Sequence, residues 1–473
     1  MRPIVVWGTS SWAGKSLLAT GLCASLRRRG IRVAPFKAQN MSNNARAVDG
    51  GEIGAAQYFQ ALAAGVAPSV DHNPVLLKPE NDRHSQVVVL GKVDGDAARL
   101  GWRERSDRLW EAVAGAYERV ARAADVVVIE GAGSPAEVNL ADVDLANLRI
   151  ARHAGATAVL VTDIDRGGAF AHLVGTWTLL EPADRARVAG FVLNRFRGDP
   201  ALLHPAPLLL RERTGVPTLG VLPMVDHGLP DEDGADPSPR SVGGIEVRVV
   251  RGPAASNLDE WWLVQQASSF AWATQPSHLR DADLVVLPGS KLVATDLAWM
   301  RATGMDAAVA AAHARGVPIL AVCGGVQALC ERVDDPHGVE RAATGLGLLP
   351  AVTVLGREKH VRRTSATFST SLGGPWRELA GRRVAGYEIR YGTTAVRPPA
   401  AEVLPGGTGF AHGTILAVYL HGLAEDPDVV HALTGRRPLR SIDQVVDGLA
   451  DLVDEHLDLG PLLRDRPAGA RPA

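Results

Sequence analysis

The sequence is 473 residues long, 46% hydrophobic and 22% charged, with a formal net charge of −2. At about 150 residues per domain this length points to two to four domains with ordinary globular cores. A charge so near zero provides no global field to draw in nucleic acid or an anionic membrane, and neither is expected as a partner.

Three cysteines, Cys23, Cys323 and Cys330, are too few and too odd in number for a disulfide framework, which points to a reducing cytoplasm. None of the 14 histidines joins a cysteine in zinc-site spacing. The first apolar run, Ile4-Val5-Val6-Trp7, is too short for a signal-peptide core, and no stretch approaches the roughly 20 apolar residues of a spanning helix. A soluble, cytoplasmic protein is expected.

In chain order, the opening strand runs into Gly8-Thr-Ser-Ser-Trp-Ala-Gly14-Lys15-Ser16 and then a helical segment. Backbone N–H groups of such a loop cradle phosphate oxygens. Lys15 would reach the β/γ-phosphates, and the Ser16 hydroxyl would serve Mg²⁺. Five residues separate Gly8 from Gly14, where the common P-loop has four; the competing reading is a structural Gly-rich turn.

A buried strand over 125–129 ends at Glu130, where a carboxylate suits either a second metal ligand or a helix cap. Further strands are expected over 158–161 and 190–193. Asn194, which follows the latter, reads most simply as a turn residue. Residues 226–244 are acidic and rich in Pro and Gly, and they carry linker chemistry. A new strand over 245–250 opens the second half. The expected division is a P-loop domain over 1–228, a linker over 229–244, a second domain over 245–463 and a disordered tail over 464–473. Short β-branched runs alternating with helical segments imply parallel sheets in both domains, an α/β fold throughout.

In the second half, the strand over 318–322 ends at Cys323, followed by Gly324, Gly325 and a helical segment. A sharp strand-to-helix turn of this kind exposes a nucleophile, and the helix dipole favours its thiolate. The Gly324 N–H is placed for an oxyanion hole, with a second donor from Gly289-Ser290 at the end of the strand over 284–287. Cys23 and Cys330, inside helical segments, read as structural. His421, at the end of the strand over 415–420, is the candidate base, against the alternative of a satisfied core histidine. With no acidic residue two positions on, the residues support a Cys–His dyad.

The blocks at 36–44, 49–57, 73–79, 85–89, 288–291, 322–325, 386–389 and 419–422 resemble, in order, motifs of the cobyric acid synthases. That resemblance spans about residues 4–425. It implies a first domain like dethiobiotin synthetase and a second like a class I glutamine amidotransferase. The implied activity is ATP- and glutamine-dependent amidation of corrin carboxylates, turning adenosylcobyrinic acid a,c-diamide into adenosylcobyric acid. The corrinoid is a substrate rather than a tightly bound cofactor. By the same likeness Cys323 is the nucleophile and His421 its base, and Lys15 and Ser16 serve ATP. Ser16, Asp49 and Glu130 hold Mg²⁺, and Asn194 faces adenine.

Two positions depart from the family pattern. Arg390 stands where the family has His after Gly-Tyr-Glu-Ile, and Leu258-Asp-Glu-Trp-Trp262 replaces Phe-Thr-Asp-Phe-Asp. The rival enzymes share this architecture and act on another carboxylate, as in cobyrinate a,c-diamide synthesis or cell-wall precursor amidation. A regulatory P-loop ATPase with a degenerate amidotransferase domain would usually carry a second Lys early in its loop, and none lies between Gly8 and Gly14. A non-catalytic corrinoid carrier would need no P-loop.

Overall fold

The structure, a computed structural model, describes residues 1–80, 84–230 and 240–463. The expected tail over 464–473 and the linker residues 231–239 lie outside the described residues.

Continuous apolar strands bury both faces of a sheet, and here they build two parallel sheets covered by helices. The first has six strands in the order Thr218–Pro223, Val188–Phe196, Thr157–Asp163, Ile4–Gly8, Val126–Glu130 and Val33–Phe36. All neighbouring pairs are parallel. The opening strand thus lies inside the sheet, and the turn that follows it emerges at the carboxyl edge, where such sheets bind ligands.

The second sheet has eight strands, in the order Arg240–Ser241, Ser269–Ala273, Glu246–Val250, Leu284–Leu287, Ile319–Val322, Ile415–Val418, Gly409–His412 and Ala401–Leu404. Its five inner strands are parallel, and antiparallel strands close both edges. A long antiparallel hairpin, Ala351–Thr367 with Arg383–Val396, leaves this domain and packs Tyr387 and Ile389 against Ala45, Ala47, Leu76 and Val88 of the first.

The chain does not divide at a single point. Helix Ile442–His456, expected in the second domain, packs instead on helix Lys15–Arg28 of the first. The helices approach closely at Gly21, where a Cβ would lie 2.7 Å from the Val453 side chain. Ser25 Oγ donates to Asp454 at 2.5 Å, and Arg28 and Arg29 pair with Asp451 and Asp454 at 2.6 and 2.7 Å. An apolar stripe of Val445, Val446, Leu449 and Val453, all buried, drives the return. No described helix is long and apolar enough to cross a membrane.

Candidate active sites

At the carboxyl edge of the first sheet lies a cleft of 480 Å³ walled by Gly14, Lys15, Ser16, Glu130 and Asn194. Lys15, at the start of its helix, donates to the carbonyls of Ser10 and Gly133, each at 3.0 Å. The ammonium is therefore curled over the loop that would hold phosphate. Ser16 Oγ donates to Glu130 Oε1 at 2.9 Å.

Glu130 is the last residue of its strand, not a residue of the following turn, and it is 1% exposed. Lys37 donates to it at 2.8 Å, and Gln60 reaches its other oxygen. Burial works against ionisation, yet Lys37, Gln60 and Ser16 together hold the carboxyl below its usual range. The helix-cap reading of Glu130 therefore gives way to a buried, ionised carboxylate facing the phosphate loop.

Two expectations at this site change. Asn194 is no turn residue: its strand continues to Phe196, and its side chain, 2% exposed, donates to the Ala13 carbonyl at 3.1 Å. It walls both this cleft and a contiguous one of 790 Å³ that also takes in Asp163 and Arg195. Asp49 sits exposed just beyond strand Ala45–Val48, at the turn into Gly51–Gly54, and does not wall the phosphate cleft. The hairpin that carries Asp49 turns instead toward the second domain, as described below. Hard oxygen donors facing the loop suit Mg²⁺, and Ser16 and Glu130 supply them. No group of three His, Cys, Asp or Glu among the described residues forms a metal cage.

In the second domain, Cys323 occupies a strained backbone conformation, φ 52° and ψ −105°, between strand Ile319–Val322 and helix Gly324–Leu329. Strain at an elbow presents the side chain over the helix N-terminus. The Ser290 backbone nitrogen lies 2.5 Å from where a Cβ on Gly324 would sit, so the two backbones run side by side next to Cys323. The Ser290 hydroxyl is committed to Asp296 at 2.5 Å, which leaves only its backbone for an oxyanion. Gly289 abuts the His421 ring, where a Cβ would fall 2.9 Å from Cε1. Cys23 and Cys330 are buried and free, and burial raises the Cys330 thiol to about 11, so the structural reading holds for both.

A carboxylate joins the expected Cys–His pair. His421 Nδ1 lies 3.1 Å from Glu260 Oε1, and the Gly422 N–H donates to the other oxygen at 2.7 Å. Burial opposes charge on the imidazole, but Glu260 and Cys323 raise its pKa to about 10. The imidazole is thereby held charged between a carboxylate and the Cys323 sulfur.

Glu260 arrives on the short turn Leu258–Trp261, and residues of the first domain pin that turn. Asn44 Oδ1 accepts from Leu258 N at 3.0 Å, and Asn257 donates to the Ala45 carbonyl at 2.6 Å and to the Tyr387 hydroxyl at 2.8 Å. Arg46, 1% exposed, ion-pairs with Asp259 and Glu425 and lies over the Tyr387 ring, which stacks on His421. The hairpin that leaves Asp49 exposed thus buries Arg46 beside the Tyr387–His421 stack.

Arg390 walls the Cys323 cavity, but its guanidinium is held by Glu388 at 2.9 Å and by the Gly392 carbonyl, and it covers the Tyr419 ring. It substitutes for no base. Sequence reasoning missed Glu260, Lys37, Gln60 and Arg46. A basic residue directly after a buried strand was the available signal for Lys37, and Glu260 offered none.

Residues 4–229 match the family described as the CobQ/CobB/MinD/ParA nucleotide binding domain, and residues 246–429 match the CobB/CobQ-like glutamine amidotransferase domain. A cobyric acid synthase of Variovorax paradoxus is 53% identical over 98% of both chains. One of Polaromonas naphthalenivorans is 50% identical over 98% of both. Among solved structures, a glutamine amidotransferase matches 40% of this chain and 98% of its own at 17% identity, with a TM-score of 0.31, too slight a likeness to argue from.

Proposed function

Since the chain belongs to the cobyric acid synthase family, we propose that its two sites carry out one ATP- and glutamine-dependent amidation of corrin carboxylates. It is a glutamine-hydrolysing amidoligase. The substrate is adenosylcobyrinic acid a,c-diamide and the product adenosylcobyric acid.

The observation that carries the reading is a shared wall. Asn43 and Lys78 of the nucleotide-binding domain line the Cys323 cavity, while Gln39, Asn40 and Met41 line the phosphate cleft. A few residues of one segment therefore touch both sites.

At the second site, Cys323 attacks the side-chain amide of glutamine, and His421 gives its proton to the departing ammonia. Gly324 and Ser290 N–H groups receive the oxyanion, and water then releases glutamate from the thioester. Glu260 keeps the imidazole oriented and charged.

At the first site, a corrin carboxylate takes the γ-phosphoryl group of ATP. This is needed because a bare carboxylate offers oxide as its leaving group. Lys15 and the loop N–H groups hold the phosphates, and Asn194 faces the base. Ser16 and Glu130 would hold Mg²⁺, which neutralises charge on the phosphates when bound. Ammonia displaces phosphate from the acyl phosphate, giving the amide.

Ammonia released into neutral water would be held mostly as ammonium, so a sheltered passage along residues 39–43 is expected. The buried Asn43 Oδ1 and Gln57 Nε2, without partners, support it. Three buried free cysteines support a cytoplasmic setting.

Mass spectrometry of the purified protein with cobyrinic acid a,c-diamide, ATP, Mg²⁺ and glutamine tests the reading. Each amidation lowers the substrate mass by about one unit, with ADP and glutamate formed in step. An unchanged corrinoid with both glutamine and ammonium, in protein that binds ATP, would refute it.

A further inference from the structure

Around Cys323 the cavity wall holds an uneven set of charges. Lys78 and Lys359 both pair with the single carboxylate of Glu52, Lys78 at 2.7 Å, so this trio keeps one surplus positive charge. Lys291 is matched by Glu80 at 3.1 Å. Glu340, in the same wall, has no hydrogen bond or ion pair to its carboxylate among the described residues.

A half-buried carboxylate without a partner is costly, and so is a surplus cation in the same cavity. A ligand bearing one ammonium and one carboxylate relieves both costs. Glutamine carries that pair on its α-carbon, at the far end from the amide that Cys323 attacks.

We propose that Glu340 binds the α-ammonium of glutamine and that the Lys78–Glu52–Lys359 trio binds its α-carboxylate. This rests on the assignment of Cys323 as the glutaminase nucleophile. Burial lifts the free Glu340 carboxyl to about 7 despite Lys291 and Lys359, and a bound ammonium would return it to the ionised form. Since Glu52 and Lys78 belong to the nucleotide-binding domain, the amino-acid head is held across the domain boundary.

The test compares kcat/KM for glutamine with that for glutaramate, which lacks only the α-amino group, in the wild type and in Glu340→Gln. A charge-assisted contact of this kind is worth about tenfold to a hundredfold. The wild type should prefer glutamine by that factor, and E340Q should lose glutamine activity by it while glutaramate hydrolysis changes little. Equal wild-type values for the two amides would overturn the assignment whether or not the variant folds. Equal losses on both amides in an E340Q protein that melts like the wild type would also overturn it. The matching arm uses Lys359→Met with 4-aminobutanamide, which lacks the α-carboxylate and should be insensitive to this change. If Cys323→Ala still hydrolyses glutamine, the nucleophile assignment itself fails, separately from the role of Glu340.

Discussion

Replacing Glu260 with Gln keeps the shape of the triad and removes one charge. The carboxylate now meets His421 Nδ1 at 3.1 Å and Gly422 N–H at 2.7 Å, with both side chains out of contact with water. A hydrogen bond to a charged group contributes about 1.5–3 kcal/mol, and each pKa unit corresponds to about 1.36 kcal/mol, so the imidazolium should lose roughly one to two units. His421 carries its proton below about 10 in the wild type. The alkaline limb of glutaminase kcat/KM, where proton donation to the leaving ammonia fails, should therefore move down to roughly 8–9. The amide can also turn its NH₂ toward Nδ1 and favour the wrong tautomer, so the rate below that limb should drop by about 10²–10⁴, as in other triads. Coupled detection of glutamate between pH 6 and 11 measures both effects. An alkaline limb unmoved from the wild-type position, with a rate within about threefold of wild type, would refute Glu260 as the orienting residue.

Cys323→Ala should abolish glutamine-dependent amidation and leave amidation driven by high ammonium; loss of both in folded protein would contradict the division of labour. Lys15→Ala should stop synthesis with either nitrogen source and weaken ATP binding by calorimetry, and normal turnover would refute its phosphate role. Arg46→Met would leave Asp259 and Glu425 facing each other without their cation. Breaking a buried pair in this way costs about 3–5 kcal/mol, visible as a lower Tm. Burial already raises both carboxyls above their usual range. Both therefore take up protons more readily in the folded protein, and part of the lost stability should return as pH falls. A variant with an unchanged Tm would contradict that account.

The loop at Gly8–Ser16 and the elbow at Cys323 were legible because each is a local event, in which a buried strand, small residues and a helix start within about ten positions of one another. His421 could be proposed for the same reason, from its place at a strand end. Glu260 could not, since it meets His421 across 161 residues of sequence and its own neighbourhood, Leu258 to Trp262, reads as an ordinary apolar turn. Asn194 was misread because strand ends are set by pairing with the neighbouring strand, and the pairing of Asp163 with Asn194 extends the strand beyond its apolar run. Asp49 drew attention through its motif, yet the buried, pairing residues of that hairpin are Arg46 and Glu52. An isolated arginine among alanines carries no sign of which carboxylates it will meet.

The return of helix Ile442–His456 to the first domain makes the amidotransferase an insertion into the nucleotide-binding unit rather than an appendage to it. A protease that nicks the chain after Pro230 cuts only one of two crossings, and the fragments should stay together until denatured. During synthesis, the groove along helix Lys15–Arg28 stays open until helix Ile442–His456 has been made, by which time all strands of the second sheet have emerged. Helix Ile442–His456 therefore acts as a latch, and a chain cut before Ile442 would uncover the apolar side of helix Lys15–Arg28.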